Sequence, residues 1–288
     1  MKAVFRKELS SYFHTMTGYV FLAFTIAVLG TYFTTTNIIQ GNPYFTASLQ
    51  SARVVFAFAV PILTMRSMAE ERRTKTDQTF LTSPNSVASV ILGKYLAMVL
   101  IFAIPAAVSL LCPFIISTLG TGHPRADYAA IFMFFLIGCL YIAIGLWISA
   151  LTESQITAAV GTIAVLLLLY LWDDLLAFVP YTPVASLVGF LVLCFIFLLI
   201  IRAVTGKLLP AGIIWLCLSC ICVVVYFVND TLYAGQIKKV LEAFSVNSAL
   251  SSILTSSFLD LRIVILCLTG IFLFLFLTIQ SVRKRQWL

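Results

Sequence analysis

The segment Met65–Lys94, MRSMAEERRTKTDQTFLTSPNSVASVILGK, is a charged stretch between two apolar runs. Most of its charges fall in Ala69–Pro84, which closes on Phe80, Leu81 and a Ser-Pro turn signal. Positions along one side recur with i, i+3/i+4 spacing, which predicts a short amphipathic helix. A solvated loop that keeps two membrane helices apart explains the same composition, so both interpretations stand here. In either case the segment lies in water or at a membrane surface.

The sequence on both sides of this segment has the composition of a membrane protein. Of its 288 residues, 61% are hydrophobic and 10% charged, and the mean hydropathy is +1.08. Soluble domains have an apolar share nearer one half, whereas a transmembrane helix needs roughly 20 mostly apolar residues. Eight runs meet this description and predict an all-α, polytopic membrane helix bundle: Thr17–Thr36, Val54–Met68, Val90–Leu119, Ala130–Leu151, Ile156–Val179, Ala185–Ile201, Ile213–Val228 and Ile263–Ile279.

Lysine and arginine residues are distributed unevenly between the two sides that eight spans define. With the amino terminus inside, thirteen basic residues fall on the inner side and five on the outer side, namely Arg53, Arg125, Lys238, Lys239 and Arg262. This excess follows the positive-inside rule. It predicts that both termini are cytoplasmic, and it explains the net charge of +7 by topology without a nucleic acid.

Three other features have helical patterns outside or between the spans. Residues 229–262 form the longest outer segment and carry two short amphipathic stripes, which predict helices at the extracellular face. In the fourth span, Gly145 and Ser149 are spaced so that another helix can approach closely. Residues 1–16 predict an interfacial helix with one apolar stripe, which consists of Phe5, Leu9, Tyr12, Phe13 and Met16.

Recognisable patterns for nucleotide, metal or covalent chemistry do not occur in the sequence. Neither Gly93-Lys94 nor Gly206-Lys207 follows the earlier glycine that a phosphate-binding loop requires. The cysteines Cys217, Cys220 and Cys222 have a metal-like spacing, but they lie in an apolar run without polar ligands. No metal, cofactor or catalytic residue is therefore predicted.

The few ionisable residues near the spans are predicted to lie at span ends. Lys94 and Glu153 border apolar runs, which disfavours an intramembrane enzyme or a proton-driven carrier. Asp173 and Asp174 come beside Trp172 near the end of the fifth run, so we interpret them as interfacial. An ion-coupled carrier would require one of these two aspartates to lie deep and face a cavity.

At the level of families, Met65–Leu100 resembles the loop between the second and third helices of type 2 ABC-transporter permeases, in particular the GldF-like branch named for gliding motility. The family pattern runs PLLTMR-x-x-A-E-E, two basic residues, a Ser-Pro turn and L-G-K-(Y/F). This chain has the corresponding residues in the same order, from Pro61 through Glu70 and Ser83 to Tyr95. A Phe/Leu-rich last helix with a basic, Trp-bearing end, Arg283–Trp287, is also similar.

The resemblance implies a six-helix permease core in a single domain, residues 1–288, in a bacterial cytoplasmic membrane. It further implies a cytoplasmic coupling helix at 69–84 that docks on a separate ABC ATPase, with a contribution from the interfacial helix. Residues 185–228 would then be an extra transmembrane hairpin absent from the family core. The docking residues carried over from the family are Glu70, Glu71, Arg72, Arg73, Thr76, Phe80, Leu81, Ser83 and Pro84.

From the resemblance we expect the membrane-spanning permease subunit of an ABC transporter, working as an exporter, that pairs with a second permease chain. ATP hydrolysis is expected on the partner chain, so the permease itself is not an enzyme. The alternative is a membrane scaffold or sensor that recruits an ATPase without opening a path. The substrate is not readable from the sequence.

Overall fold

The computed structural model describes residues 2–74, 86–120, 122–178, 180–184, 186–192, 236–242, 245 and 261–286. Regular structure in these residues is helical throughout, with no strand among them, which confirms the all-α prediction. The principal helices are α1 (Lys2–His14), α2 (Met16–Tyr32), α3 (Phe45–Arg73), α4 (Val87–Ser109), α5 (Leu111–Leu119), α6 (Pro124–Leu151), α7 (Gln155–Tyr170), α8 (Trp172–Ala177), α9 (Gln236–Glu242) and α10 (Leu261–Gln286).

Several of these helices are long and apolar enough to cross a membrane, so the chain is an integral membrane protein. In the described residues there are five such segments: Met16–Ile39, Phe45–Arg73, Val87–Thr118, Pro124–Leu151 and Leu261–Lys284. The predicted fifth span corresponds to the shorter apolar helix α7. The predicted spans at 185–201 and 213–228 lie largely or wholly outside the described residues, so the count of eight stays a prediction.

The chain divides into two compact units, Met1–Tyr170 with Val246–Leu288, and Leu171–Ser245. In the second unit α8 packs against α9, where the Trp172 indole Nε1 donates to the Leu241 carbonyl at 3.1 Å. Helix α9 falls on the first of the two stripes predicted within 229–262, whereas the second stripe lies outside the described residues. In the first turn of α8, Asp174 is exposed and Asp173 half-buried.

Helix α6 forms the centre of the first unit and packs against α3, α4, α7 and α10. Its close approach to α3 and α4 depends on glycine. A Cβ at Gly145 would lie 2.4 Å from Thr64 Oγ1, and one at Gly138 would lie 2.1 Å from the Phe102 ring. The Ser149 hydroxyl donates to the Met65 carbonyl at 3.2 Å. The prediction that small residues of this span admit a neighbouring helix is thus confirmed.

Proline and hydroxyl side chains account for two irregularities in the long helices, one interruption and one π-helical segment. The third span divides into α4 and α5 at Leu110. Pro113 lacks an amide hydrogen and its ring crowds the carbonyl four residues earlier, that of Ser109, so an uninterrupted helix is unfavourable there. Helix α2 continues as a π-helix at Phe33–Ile39, where threonine hydroxyls donate back to carbonyls one turn earlier.

Helix α3 is longer than the predicted second span, Val54–Met68, at both ends. At 1.5 Å per residue its 29 residues extend about 44 Å, whereas the hydrocarbon core of a bilayer is roughly 30 Å thick. The charged residues 70–73 therefore form the last turn of a membrane helix. Residues 75–85 lie outside the described part of the chain, so the predicted helix at 69–84 stays a prediction beyond that turn.

Arg53, which is predicted to fall on the outer side, lies in the third turn of α3 and is only 4% exposed. Its guanidinium carbon lies 5.6 Å from the centre of the Tyr170 ring. An aromatic face attracts a guanidinium and offsets part of the cost of its burial. Hydropathy along the chain contains no information on such a partner, which is why the predicted second span, Val54–Met68, begins only after Arg53.

Candidate functional site

The charged end of α3 is fixed by its own backbone and by side chains one turn apart. Thr74 ends the helix, and both its amide and its hydroxyl donate to the Glu70 carbonyl at 2.9 Å. Arg72 and Arg73 occupy the last turn, where the negative end of the helix dipole favours positive charge. The Arg66 guanidinium donates two hydrogen bonds, of 2.8 and 3.1 Å, to the Glu70 carboxylate.

Glu71 turns from this end toward the inside of the bundle and meets the ammonium of Lys94, in the second turn of α4. Lys94 Nζ lies 2.7 Å from Glu71 Oε1 and 3.0 Å from Glu8 Oε1 of α1, and it donates to the Ser67 carbonyl at 2.9 Å. The lysine is 1% exposed. Lysine is almost never buried to this extent unless paired, and here the cluster Glu8, Glu71 and Lys94, the ion cluster, provides the pairing.

The Arg72 side chain contacts the connection between α6 and α7. It donates to the Leu151 carbonyl at 2.8 Å and forms an ion pair of 3.1 Å with Glu153. A carbonyl near the end of a helix lacks an intrahelical donor, so Arg72 serves as a cap for α6 in addition to pairing. Arg73, by contrast, is exposed.

Helix α1 packs on the bundle through one row of residues four apart. Val4 lies against Gly93, where an added Cβ would be 3.3 Å from the Val4 Cβ. Glu8 joins the ion cluster, and the Tyr12 hydroxyl donates to the Leu63 carbonyl at 3.0 Å. Burial raises the pKa of the Tyr12 phenol well above its usual value, so it acts only as a neutral donor.

The row of α1 that packs on the bundle differs from its predicted apolar stripe. Of the five stripe residues only Tyr12 is buried, Phe5, Leu9 and Phe13 are half-buried, and Met16 is 84% exposed. The buried face is Val4, Glu8 and Tyr12, and it includes a carboxylate that a hydrophobicity pattern assigns to water. Glu8 belongs to this face because it pairs with Lys94 of α4.

A polar cavity of about 330 Å³ opens beside the ion cluster, between α1, the start of α2 and the charged end of α3. Hydroxyl groups and charges of both signs form its walls, among them Lys7, Ser11, Thr15, Thr17, Arg66 and Thr74. The arrangement can hold water and polar side chains. Within the described part of the chain, no three His, Cys, Asp or Glu side chains are grouped so that they could hold a metal ion.

The structure separates the nine predicted docking residues into groups. Glu71 and Arg72 face other elements of the same chain, Glu70 pairs with Arg66, and Arg73 is exposed. The other five, Thr76, Phe80, Leu81, Ser83 and Pro84, lie outside the described residues.

Sequence reasoning missed the roles of Lys94 and Glu8, although one signal was present. Lys94 follows a run of small and apolar residues, VASVILG, and is the first charge after the Ser-Pro turn. A lone lysine one turn inside an apolar helix requires a partner, but the sequence does not identify Glu8, which lies 86 positions away.

A known protein family matches a large part of this chain. A family model described as "ABC-2 family transporter protein" matches residues 7–188, more than half of the chain. The matched part includes α1 from Lys7 onward, the ion cluster, the four described membrane-spanning segments that precede Leu171, and α7. No curated protein matches the sequence.

Proposed function

This chain belongs to the ABC-2 family of transporter proteins, and from that premise we propose that it is the permease of an ATP-driven exporter whose ATPase is a separate chain. Family membership and the apolar helices make it an integral membrane permease. The export direction, the GldF-like branch and the ATPase subunit are parts of the proposal. They rest on the resemblance of Met65–Leu100 to the coupling loop of such permeases.

One observation supports an outside motor more than any other, namely the continuity of α3. The same helix runs from Phe45 inside the bundle to Arg73, and Thr74 ends it directly before the segment that resembles a coupling helix. A force on that segment therefore acts on a rigid rod whose other end lies in the core of the first unit. A flexible linker at this point would absorb the movement.

We propose that the ATPase docks on the exposed Arg73 and on three residues carried over from the family resemblance, Thr76, Phe80 and Leu81. Glu71 and Arg72 already contact other elements of the chain, so we leave them out of the docking set. An exposed arginine followed in sequence by an apolar pair suits a cleft on a soluble partner, and complementary charge there would set orientation and association rate.

The proposed topology has both termini in the cytoplasm of a bacterial cell. The positive-inside bias supports it, as does the gathering of Lys7, Arg66, Arg72 and Lys94 at one end of the first unit. A second permease chain is part of the proposal. Helix α10 supports it with a row of exposed apolar side chains that lipid or a second copy would cover, namely Ile265, Leu268, Phe272 and Phe276.

The decisive experiment purifies the tagged full-length chain together with the ATPase encoded by a neighbouring gene. We expect the two to co-purify in mild detergent, and the variants Arg73→Glu and Phe80→Asp to reduce ATPase recovery at least tenfold. Lys239→Glu and Phe178→Asp are the matched controls, because both side chains are exposed on the second unit. Undiminished recovery with both docking variants would refute the proposed surface.

Reconstitution distinguishes the exporter from the scaffold. Vesicles containing the permease and ATPase are given ATP and a panel of fluorescent amphipathic probes, and movement of a probe is followed by quenching. ATP-dependent movement supports the exporter. ATPase binding without movement of any probe supports a recruiting scaffold instead.

A further inference from the structure

The ammonium of Lys94 connects three helices at one point. An ammonium has three donors, and Lys94 directs them to the Glu8 carboxylate of α1, the Glu71 carboxylate of α3 and the Ser67 carbonyl of α3. The three acceptors lie between 2.7 and 3.0 Å away. The exposed fractions of the Glu8 and Glu71 side chains are 12% and 19%.

Burial makes this arrangement cooperative. A buried ammonium is strongly unfavourable unless its charge is compensated, and two buried carboxylates without it would repel each other. Loss of Lys94 would therefore leave two neighbouring carboxylates without its compensating charge, whereas loss of one carboxylate would leave a single ion pair. The ion cluster holds α1, the charged end of α3 and the start of α4 in one relative position.

Two uncharged contacts strengthen the same unit. One turn to either side of Glu8 along α1, Val4 packs on Gly93 and Tyr12 bonds to Leu63. Gly93 directly precedes Lys94. At these two adjacent positions α4 therefore offers α1 first a glycine that lets the helices pack closely and then a positive charge. Helix α1 is thus attached at three successive turns, and only the middle one is ionic.

We propose that Lys94 is a positioning residue that makes α1, the charged end of α3 and the start of α4 move as one rigid unit during transport. This inference rests on the proposed function for the source of the movement, since the ATPase would displace the segment after Arg73. Lys94 then passes the displacement to α4, whereas Arg73, Thr76, Phe80 and Leu81 only bind the motor. Docking and transmission would reside in different residues.

The first test uses the permease alone and does not depend on any ATPase. In detergent, hydrogen exchange of the α1 amides is compared between the native chain and Lys94→Met. We expect at least tenfold faster exchange in the variant and near-native exchange in the double variant Glu71→Lys/Lys94→Glu, which keeps two carboxylates and one ammonium in the cluster. Lys239→Met, which removes an exposed ammonium on α9, is the control and should leave exchange unchanged.

The second test uses the complex with the ATPase and a readout that a merely structural role would not change. Spin labels at the exposed positions Ser10 of α1 and Ser117 of α5 report a distance before and after ATP and vanadate are added. We expect a distance change in the native complex, its loss in Lys94→Met with ATPase recovery within twofold of native, and its return in the charge-swapped double variant.

Several outcomes would overturn the inference. Native α1 exchange in Lys94→Met, or a native distance change in that variant, means that Lys94 does not unite the helices. A loss of ATPase recovery in proportion to the loss of distance change would assign Lys94 to docking. If no ATPase binds even the native chain, the proposed function fails, while the exchange test still decides whether the rigid unit exists.

A second variant covers the case in which Lys94→Met does not accumulate in the membrane. Gly93→Val moves α1 away from α4 without changing any charge, because its branches would meet Val4 and the Phe5 backbone, already 3.3 Å from the position of a Cβ. Faster α1 exchange with a lost distance change supports the inference. A retained distance change despite faster exchange overturns it.

Discussion

The two ends of helix α3 are held in different ways. At the Phe45 end, the carboxylate of Asp127 in α6 accepts from the amide and the hydroxyl of Thr46, at 3.2 and 3.1 Å. At the Arg73 end, ion pairs connect α3 to α1, α4 and the connection after α6. One end is capped by a single carboxylate from the core helix, and the other is tied to several elements by charges of both signs.

The Phe45 end is a helix amino terminus, so its first amides lack intrahelical acceptors and its dipole favours an anion. One buried carboxylate satisfies both needs and pins α3 to α6. Asn37 fixes the preceding turn, since its amide donates to the Asn42 carbonyl at 2.8 Å and it accepts from Ser48 at 2.6 Å. Hydrogen bonds with Asp127 and Asn37 thus fix both the start of α3 and the turn before it.

The Arg73 end is also linked to α6, through the Ser149 hydroxyl and Arg72, but its ion pairs add contacts with further elements. Its contacts spread over three directions, and the outermost partner, Glu153, has 75% of its side chain exposed. Bonds to several separate elements allow those elements to move together. The comparison shows that one buried carboxylate joins the Phe45 end to α6, whereas several charged contacts join the Arg73 end to other elements. Under the proposed function, the second arrangement would carry movement from the ATPase to those elements.

The largest effect is expected from Gly145→Leu, which would disrupt the packing of α6 against α3 at Thr64, between the two ends of α3. Any Cβ at this position lies 2.9 Å from the Thr64 Cβ, so α3 and α6 must separate. We expect a loss of about 3 kcal/mol or more in the free energy of unfolding, measured by denaturant unfolding in detergent. Gly30→Leu is the control, since nothing lies within 4 Å of its Cβ position, and equal losses would contradict the packing described.

Asp127→Ala tests the Phe45 end alone. It leaves two donors of Thr46 without an acceptor, at a cost of about 2 kcal/mol. Asp127→Asn keeps an acceptor oxygen and should lose clearly less stability. The midpoint of unfolding in detergent measures both. If alanine and asparagine are equivalent, the carboxylate is not acting as a cap.

Tyr12→Phe removes one hydrogen bond from the other end without altering any charge. The buried Leu63 carbonyl loses its side-chain donor, and we expect a cost of about 1 kcal/mol together with faster exchange at the end of α1. Tyr19→Phe is the matched control, because Tyr19 is 57% exposed. A larger loss for Tyr19 would place the important hydroxyl elsewhere.

The smallest effect is expected for the pair of Arg72 and Glu153. Because the glutamate is largely in water, a double-mutant cycle with alanine should give a coupling energy below about 1 kcal/mol, and less at high salt. Arg72→Ala alone should cost more than Glu153→Ala, since it also removes the donor to Leu151. A coupling above about 2 kcal/mol would show that this pair is as important as the ion cluster.

Much of this fold was predictable because each membrane span is a continuous run of apolar residues, which can be recognised without knowing the tertiary contacts. The first, third, fourth and last spans fall within a few residues of the helices observed. The turn after α2 was also predictable, and Gly41 there has a φ of 68°, in the left-handed region that glycine tolerates. The second span was predicted too short, because its ends carry Arg53 at one side and residues 70–73 at the other.

The candidate site was predictable only as a segment. The residues 70–73 were selected together, yet the structure directs Glu71 inward, Arg72 toward the α6–α7 connection and Arg73 outward. Consecutive residues on a helix point about 100° apart, so a cluster of charges in sequence cannot share one surface. Lys94 was predicted at a span end, and its burial came from partners that the sequence did not identify.

The sequence by itself determined a polytopic helical membrane protein, the position of its charged interruption and its resemblance to transporter permeases, because hydropathy and loop motifs are local properties of the chain. The tertiary structure alone decided that Lys94 joins Glu8 and Glu71, that Arg53 lies over Tyr170 and that Asp127 caps α3. These contacts depend on how each helix is rotated and which helices are neighbours, and packing sets both.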